Sequence, residues 1–185
     1  MSTKVLVLVG SLRSASVNRQ LAEVAVAAAP EGAELTIADN LGELPFYNED
    51  LDVEGADLPA VAALREAARA ADAFLLFTPE YNGTIPAVLK NAIDWLSRPF
   101  GAGAVKDKPV AVVSSSPSPN AAQWAHSDTR KAVGIAGGKV LEDVTLTIGE
   151  TIGKFGDQHP RENAEVAQSI GAVVGSLVGA TAVAA

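Results

Sequence analysis

The stretch AFLLFTPEYNGTIPAVLKNAIDWLSRP, which runs from Ala73 to Pro99, decides the class of fold. It begins with an uninterrupted apolar run of strand length, passes through a turn and continues into an amphipathic helix. A continuous apolar run is typical of a parallel strand that is covered on both faces. The sequence therefore predicts a strand at Asp72–Thr78 and a helix at Ile85–Leu96, joined by a short corner.

The same unit of an apolar run followed by a helical pattern recurs along the chain. The other predicted strands are Lys4–Gly10, Glu34–Asp39, Pro109–Ser114 and Lys139–Ile148, and the other predicted helices are Asn18–Ala29, Pro59–Ala71, Ala121–Ala136 and one from Pro160 onward. Because parallel neighbours need right-handed crossover helices, this alternation predicts an α/β three-layer sandwich: a five-stranded parallel sheet of order 2-1-3-4-5 with helices on both faces. The length of 185 residues predicts a single domain over 1–185.

The composition and charge argue against several classes of function. The chain has no cysteine, which excludes a disulfide framework and a cysteine nucleophile and is typical of the reducing cytoplasm. A net charge of −8 is unfavourable for binding nucleic acid or an anionic membrane surface, because both need clustered Lys and Arg. The two histidines, His126 and His159, lack metal-ligand spacing, so no metal site is expected.

The C-terminal run from Ser169 to Ala185 contains no charged residue. It is shorter than the ~20 apolar residues of a typical membrane span, and it is rich in Ala, Gly and Val. The bulky residues from Val166 to Val178 fall on one helical stripe. We therefore expect an amphipathic helix that lies on the sheet, no membrane partner and a cytoplasmic location.

In a sheet of this order, ligands bind beyond the carboxyl ends of the strands, where the strand order reverses between the first and third strands. The first connection at this place reads GSLRSASVN, Gly10–Asn18, and it matches neither the P-loop nor the dinucleotide pattern of glycines. It offers hydroxyl, amide and guanidinium donors, namely Ser11, Arg13, Ser14, Ser16 and Asn18. Together with the free N–H groups of the following helix, these donors favour a phosphate monoester. Taken singly, Ser16 fits an N-cap and Arg13 a solvated charge equally well.

The second connection at this edge reads TPEYNG, Thr78–Gly83. Pro79 fixes the turn, and the Asn82-Gly83 dipeptide predicts positive φ angles that expose backbone N–H groups. Tyr81 then stands at the rim, and the combination favours a planar ring with polar edges bound against backbone amides. An ordinary half-buried Tyr81 and a solvated Glu80 are the alternatives.

Three segments closely resemble the NADPH-dependent FMN reductase family of flavodoxin-like flavoproteins, which includes quinone, chromate and azo-dye reductases. They are GSLRSASVNRQLA, LPFYNEDL and PEYNGTIPAVLKNAIDWLSRP, and the likeness in order and spacing extends from Lys4 to Leu177. The resemblance implies a flavodoxin-like fold with non-covalently bound FMN. It implies that the first motif holds the phosphate, through Ser11, Arg13, Ser16 and Asn18. It implies that the second motif holds the isoalloxazine, through Pro79, Glu80, Tyr81, Asn82 and Gly83.

The third connection at this edge departs from the pattern of the family. It reads SSSPSPNAAQW, Ser114–Trp124, where the family usually has a Ser- and Gly-rich segment that ends in paired glycines. Pro117 and Pro119 remove two backbone donors from this loop. The expected flavin contacts here are Ser114, Ser115 and Ser116.

The resemblance also implies a homodimer or homotetramer in which the helix after the second motif packs across the interface. Lys90, Asp94 and Trp95 would then be packing or interface residues, although an i,i+4 ion pair and a core indole fit the sequence equally well. Trp124 or His126 is a candidate for covering the open face of the flavin. A helix-packing Trp124 and an exposed His126 are the alternative.

The function that the resemblance implies is an FMN-dependent NAD(P)H oxidoreductase. NAD(P)H would deliver hydride to the flavin and leave, and a quinone, azo compound, free flavin or metal oxyanion would then be reduced on the same face in a ping-pong cycle. No catalytic side chain is expected, because the cofactor supplies the electron chemistry. A flavodoxin-like electron carrier and a non-catalytic flavin-binding protein are the alternatives.

Overall fold

The computed structural model describes residues 2–184. Five parallel strands form one sheet in the order β2-β1-β3-β4-β5, which confirms the predicted fold class. The strands are β1 (Thr3–Val9), β2 (Ala33–Ile37), β3 (Ala73–Thr78), β4 (Pro109–Ser115) and β5 (Lys139–Ile148). The helices are α1 (Val17–Ala27), α2 (Pro59–Ala70), α3 (Ala87–Leu96), α4 (Gln123–Ile135), α5 (Thr151–Phe155) and α6 (Ala164–Ala184). Short 3₁₀ helices lie at Leu41–Glu43, Glu49–Leu51 and Pro160–Glu162.

Helices cover the sheet on both faces and create two apolar cores. On one face α1, α5 and α6 pack against the sheet, and on the other face α2, α3 and α4 do so. Every residue of β3 and β4 is buried, as the continuous apolar runs predict. The carboxyl ends of β1, β3 and β4 therefore lie side by side at one edge, where the three predicted cofactor loops begin.

Some helix boundaries differ from the predicted ones for local reasons. The third helix begins at Ala87 and not at Ile85, because Pro86 is extended, with a ψ of 142°. The last helix begins at Ala164, after the 3₁₀ turn at Pro160. The sequence pattern does not predict α5, because five residues are too few to show a helical period.

One helix among the described residues, α6, is long and apolar enough to cross a membrane by length and composition alone. One such helix is weak evidence for a span, because a core helix can meet the same criteria. The stripe of bulky side chains on α6 is buried against the sheet and α1, as in Ile170, Val174 and Leu177. α6 thus packs as the expected amphipathic helix.

α3 fixes the long connection between β2 and α2. Asn91 accepts a hydrogen bond from the Tyr47 N–H at 2.8 Å and donates one to the Pro45 carbonyl at 2.9 Å. The fully buried Trp95 donates its indole N–H to the same Pro45 carbonyl at 2.8 Å.

Arg65 on α2 ties the same connection to α3. Its guanidinium donates to the Asp52 carboxylate, at 2.7 and 2.8 Å, and to the Trp95 carbonyl. This hydrogen bonding lowers the pKa of Asp52.

The alternative roles that the sequence allows for the α3 residues match the structure. Lys90 and Asp94 form an i,i+4 ion pair with distances of 2.6 and 2.8 Å, and Trp95 is a core indole. The helical half of the second motif is thus explained by packing and ion pairing within one chain.

Candidate functional site

The phosphate loop leads from β1 into α1 at the carboxyl edge of the sheet. Ser16 is the N-cap of α1, and its hydroxyl oxygen accepts a hydrogen bond from the Arg19 N–H at 3.3 Å. Arg13 is exposed and donates to the Ala15 carbonyl of its own loop at 3.1 Å. The cap role of Ser16 and the solvated state of Arg13 are thus observed. The binding of phosphate by Ser11, Arg13, Ser16 and Asn18 stays a prediction.

Asn18 and Ser115 bring the first and third loops together in a buried position. The Asn18 side-chain amide donates to the Ser115 carbonyl at 3.4 Å, although the two residues are 97 positions apart. Asn18 is 5% exposed and Ser115 is 1% exposed. Within residues 2–184, the Asn18 Oδ1 and the Ser115 Oγ have no hydrogen-bond partner. Because buried polar groups are normally paired, these two atoms point to a polar ligand.

The second loop forms the tight turn that its sequence predicts. Asn82 and Gly83 have φ angles of 53° and 76°, which are the angles of a type I′ turn. Tyr81 and Thr84 close this turn with two backbone hydrogen bonds of 3.2 and 3.3 Å. The N–H groups of Asn82 and Gly83 make no hydrogen bond to the described part of the chain, and the Tyr81 side chain is half exposed. The turn therefore presents two backbone donors and an aromatic ring at the rim.

Glu80 has a structural role that the sequence does not reveal. Its Oε2 accepts hydrogen bonds from the Trp124 N–H at 3.0 Å and the Ala125 N–H at 3.1 Å, at the start of α4. The N-cap residue of α4, Ala122, has no side chain that could cap the helix. Glu80 therefore supplies the missing cap and ties the second loop to α4. A direct contact of Glu80 or Pro79 with a flavin stays a prediction.

The third loop contains two alanines with positive φ angles, a conformation that glycine adopts more readily. Ala121 and Ala122 have φ angles of 55° and 59°, a left-handed conformation that costs about 1–2 kcal/mol for each non-glycine residue. The resemblance to the family implies paired glycines at the end of this loop, and this chain has the two alanines there. The Ser114 hydroxyl donates to the Ala121 carbonyl at 2.8 Å, and the Ser116 hydroxyl donates to the Ser118 carbonyl. Of the three predicted serines, Ser115 thus has the hydroxyl that remains for a ligand.

The structure corrects the alternative roles of Trp124 and His126. Trp124 is 62% exposed and does not pack as a core residue. Its indole lies beside the second loop, since a Cβ placed on Gly83 would be 3.4 Å from the Trp124 ring. The expectation of an exposed His126 is wrong, because this side chain is buried with its Nε2 3.0 Å from the Val112 carbonyl. Burial lowers the pKa of His126. Of these two candidates, Trp124 is thus the one whose side chain lies at the second loop.

Two cavities meet at Arg13. The first has a volume of about 600 Å³ and mostly apolar walls. The second has a volume of about 380 Å³ and includes the hydroxyls of Ser11 and Ser14. In the described part of the chain, no group of three or more His, Asp or Glu side chains is arranged to hold a metal ion. The second cavity is also lined by Arg19, which is paired with Glu23 and Asp39. This edge of the sheet therefore joins a polar compartment, in which Arg13 is the arginine without an acidic partner among the described residues, to an apolar one.

Comparison with known proteins gives a family match and a set of similar reductases. Residues 3–152 match the family model of NADPH-dependent FMN reductases. The chain is 49% identical over 113 residues to a quinone reductase of Pseudomonas putida, covering 61% of this chain and 60% of that protein. It is 44% identical over 117 residues to a 2-hydroxy-1,4-benzoquinone reductase of a Burkholderia species, covering 63% of this chain and 62% of that protein. The matches thus span about 60% of the length of these relatives.

The comparison of structures extends the similarity over nearly the whole chain. The flavoenzyme NAD(P)H:(acceptor) oxidoreductase FerB of Paracoccus denitrificans superposes with a TM-score of 0.82 at 31% identity, covering 96% of both chains. RosB, solved with a riboflavin phosphate derivative, superposes with a TM-score of 0.72 at 18% identity, covering 96% of this chain and 79% of the other. The second likeness concerns the fold alone.

Proposed function

The chain belongs to the NADPH-dependent FMN reductase family, and from that premise we propose that it binds FMN non-covalently and catalyses the NAD(P)H-dependent two-electron reduction of a quinone. The observation that carries the proposal is the pair of unpartnered, buried polar atoms on Asn18 and Ser115, at the junction of the first and third loops. Relatives named quinone reductases support the class of acceptor. The lack of cysteine fits an enzyme of the reducing cytoplasm, where NAD(P)H is available.

The residues present fit the parts of FMN. The phosphate would be held by the Arg13 guanidinium, the hydroxyls of Ser11 and Ser16 and the free N–H groups at the start of α1. The unpartnered Asn18 Oδ1 needs a donor, which a phosphate dianion lacks, so Asn18 would serve the hydroxyl-bearing chain between phosphate and ring, together with the Ser115 hydroxyl, and not the phosphate. The Tyr81–Thr84 turn would hold the ring through the backbone N–H groups of Asn82 and Gly83.

FMN, when bound, supplies the two-electron chemistry that the side chains of this protein lack. The overall reaction converts NAD(P)H, a proton and a quinone into NAD(P)⁺ and a hydroquinone, so that one hydride and one proton are transferred. In this proposal the protein binds NAD(P)H and the quinone in turn at one place, the cavity beside Tyr81. This order of events is a ping-pong mechanism.

The proposal predicts FMN-dependent oxidation of NAD(P)H by the purified protein. Titration of the apoprotein with FMN, followed by flavin fluorescence, is expected to saturate with one FMN for each chain. Initial rates at several quinone concentrations are expected to give parallel double-reciprocal lines, since the two substrates bind in turn. A protein that neither binds FMN nor oxidises NAD(P)H overturns the proposal, and one that binds FMN without oxidising NAD(P)H indicates an electron carrier.

The proposal includes a homodimer or homotetramer formed through the groove between α3 and α4. This groove has a volume of about 660 Å³, and two large apolar side chains stand exposed beside it, Phe100 at 90% and Ile135 at 77%. Four cations line it against two acids: Lys90, Arg98, Lys106 and Lys131 against Asp94 and Asp128. In a twofold dimer the groove would face its own copy, so the exposed Phe100 and Ile135 side chains would supply the contact, and Asp94 and Asp128 of each copy would have to face cations of the other.

We expect that Ile135→Glu shifts the protein towards the monomer in sedimentation velocity, because the new carboxylate would be buried in an apolar contact. Ile152→Glu is the matched control, since Ile152 is 72% exposed and belongs to α5 on the opposite face of the sheet. A monomeric wild-type protein, or an equal shift for both variants, would contradict the interface.

A further inference from the structure

Phe46 is an exposed aromatic side chain on a firmly held backbone. Its side chain is 80% exposed and lines the apolar cavity of about 600 Å³ beside the predicted flavin loops. Exposed aromatic residues in a long connection normally lack fixed neighbours, because connections have few packing contacts. The surroundings of Phe46 differ from that expectation.

Both neighbours of Phe46 in the chain are fixed by α3. The Pro45 carbonyl accepts hydrogen bonds from Asn91 at 2.9 Å and from the Trp95 indole at 2.8 Å. The Tyr47 N–H donates to the Asn91 Oδ1 at 2.8 Å, and the Tyr47 ring contacts the Trp95 ring edge to face at 4.9 Å. Asn91 is 8% exposed and also lines the cavity. The Asn91 side chain thus fixes the backbone on both sides of Phe46, while the Phe46 ring lines the cavity.

The walls of this cavity favour a flat apolar ligand. Phe46 shares the rim with Leu12, which is 64% exposed, and Tyr81, which is 49% exposed. Of the described side chains that line the cavity, Arg13 carries the one charge. An aromatic ligand gains by stacking on Phe46 and Tyr81, whereas an inorganic oxyanion would lose its hydration against apolar walls. A cavity of about 600 Å³ lies in the usual range of small-molecule sites.

We propose that Phe46 is a specificity-determining residue that selects two-ring quinones over single-ring quinones and oxyanions, and that Asn91 is the positioning residue that holds it. The inference rests on the proposed function, since it concerns the acceptor of that reaction. Phe46 stacks on the second ring of a naphthoquinone, while the quinone carbonyls remain at the turn beside Tyr81. Asn91 does not touch the acceptor and acts through the backbone at Pro45 and Tyr47.

The test compares kcat/KM for a naphthoquinone with kcat/KM for benzoquinone in FMN-loaded protein. Phe46→Ala is expected to lower this ratio about tenfold, because an aromatic stacking contact is worth on the order of one factor of ten in affinity. Phe46→Tyr keeps the ring and is expected to keep the ratio. Val53→Ala is the matched control: Val53 is 60% exposed in the same connection but does not line the cavity. Calorimetric titration of oxidised protein with the naphthoquinone, without NAD(P)H, is expected to show the same loss of affinity for Phe46→Ala.

The role of Asn91 is tested by a double-mutant cycle. Asn91→Asp keeps an acceptor for the Tyr47 N–H and loses the donor to the Pro45 carbonyl, so the naphthoquinone-to-benzoquinone ratio should fall by a smaller factor. In the Phe46→Ala background, the same change should leave the ratio where Phe46→Ala alone puts it, because Asn91 acts through Phe46. Additive effects on the ratio overturn the positioning role.

Three outcomes separate this inference from the proposed function. Equal ratios in wild type, Phe46→Ala and Val53→Ala overturn the inference while the enzyme remains active. Weaker FMN binding in Phe46→Ala also overturns it, because Phe46 would then belong to the flavin site. A wild-type protein that does not bind FMN overturns the proposed function, and the inference with it.

Discussion

Replacing Arg13 with alanine is expected to weaken FMN binding by about 10- to 100-fold, since a hydrogen bond to a charged group is worth about 1.5–3 kcal/mol. Arg13 lines both the apolar and the polar cavity at the place where they meet. Its guanidinium can therefore bind an anion in the polar cavity. Its present contact, a hydrogen bond to the Ala15 carbonyl of an exposed loop, is readily exchanged for a phosphate. The loss should therefore appear in ligand affinity and not in folding stability.

Fluorescence titration of the apoprotein with FMN measures this change, with Arg13→Lys and Arg69→Ala as companions. Lysine keeps the charge but loses the planar fork, so an intermediate affinity is expected. Arg69 is an exposed residue of the last turn of α2, away from the loops, and its removal should leave FMN affinity unchanged. Raising the salt concentration should weaken FMN binding in wild type more than in Arg13→Ala. Equal affinity for FMN and riboflavin in wild type would contradict a phosphate site at Arg13.

The fold could be predicted because it depends on local pattern. The apolar runs of β3 and β4 report burial on both faces, and the alternation with helices leaves few topologies. The predicted bounds of β5, Lys139–Ile148, are also those of the structure, although this edge strand is only partly buried. The turn at Asn82-Gly83 was also predictable, since this dipeptide strongly prefers positive φ angles.

The supporting contacts of the site could not be predicted, because they join residues that are distant in sequence. Glu80 caps a helix that begins more than forty positions later, and neither segment contains a local signal for the other. Asn91 looks like an ordinary helix residue, yet it holds a connection through Tyr47 and Pro45. Hydrophobic periodicity indicates which face of a helix is buried, but it does not indicate which backbone groups a buried amide will meet.

Ala121 and Ala122 show a different limit of sequence reasoning. Alanines in place of paired glycines favour negative φ angles in the third loop. The structure nevertheless has positive φ angles at both residues. Both methyl groups are buried, so the packing they gain offsets part of the conformational cost. Residue type gives the preference of a position for a conformation, and tertiary packing decides whether that preference prevails.

Replacing Trp95 with alanine is expected to lower the free energy of unfolding by about 3–5 kcal/mol, the usual cost of removing a fully buried large aromatic side chain. Trp95 has no exposed surface, contacts the Tyr47 ring, lies under the Arg65 guanidinium at 5.3 Å and donates to the Pro45 carbonyl. The substitution therefore creates a cavity and frees the connection that carries Phe46. Urea unfolding followed by far-UV circular dichroism measures the change without depending on tryptophan emission.

Trp124→Ala is the matched control for Trp95→Ala, because it removes the same side chain from a position that is 62% exposed. Its cost should stay within about 0.5 kcal/mol, as is usual for surface substitutions. Trp95→Phe separates the packing of the indole from its hydrogen bond. Phenylalanine keeps most of the packing but lacks the N–H that donates to the Pro45 carbonyl. That carbonyl still accepts a hydrogen bond from Asn91. A small loss of stability in Trp95→Phe with a marked fall in the naphthoquinone-to-benzoquinone ratio would mean that the indole N–H fixes the connection for the acceptor. Equal costs for Trp95→Ala and Trp124→Ala would contradict the packing of α3 from which both the site and the acceptor cavity are built.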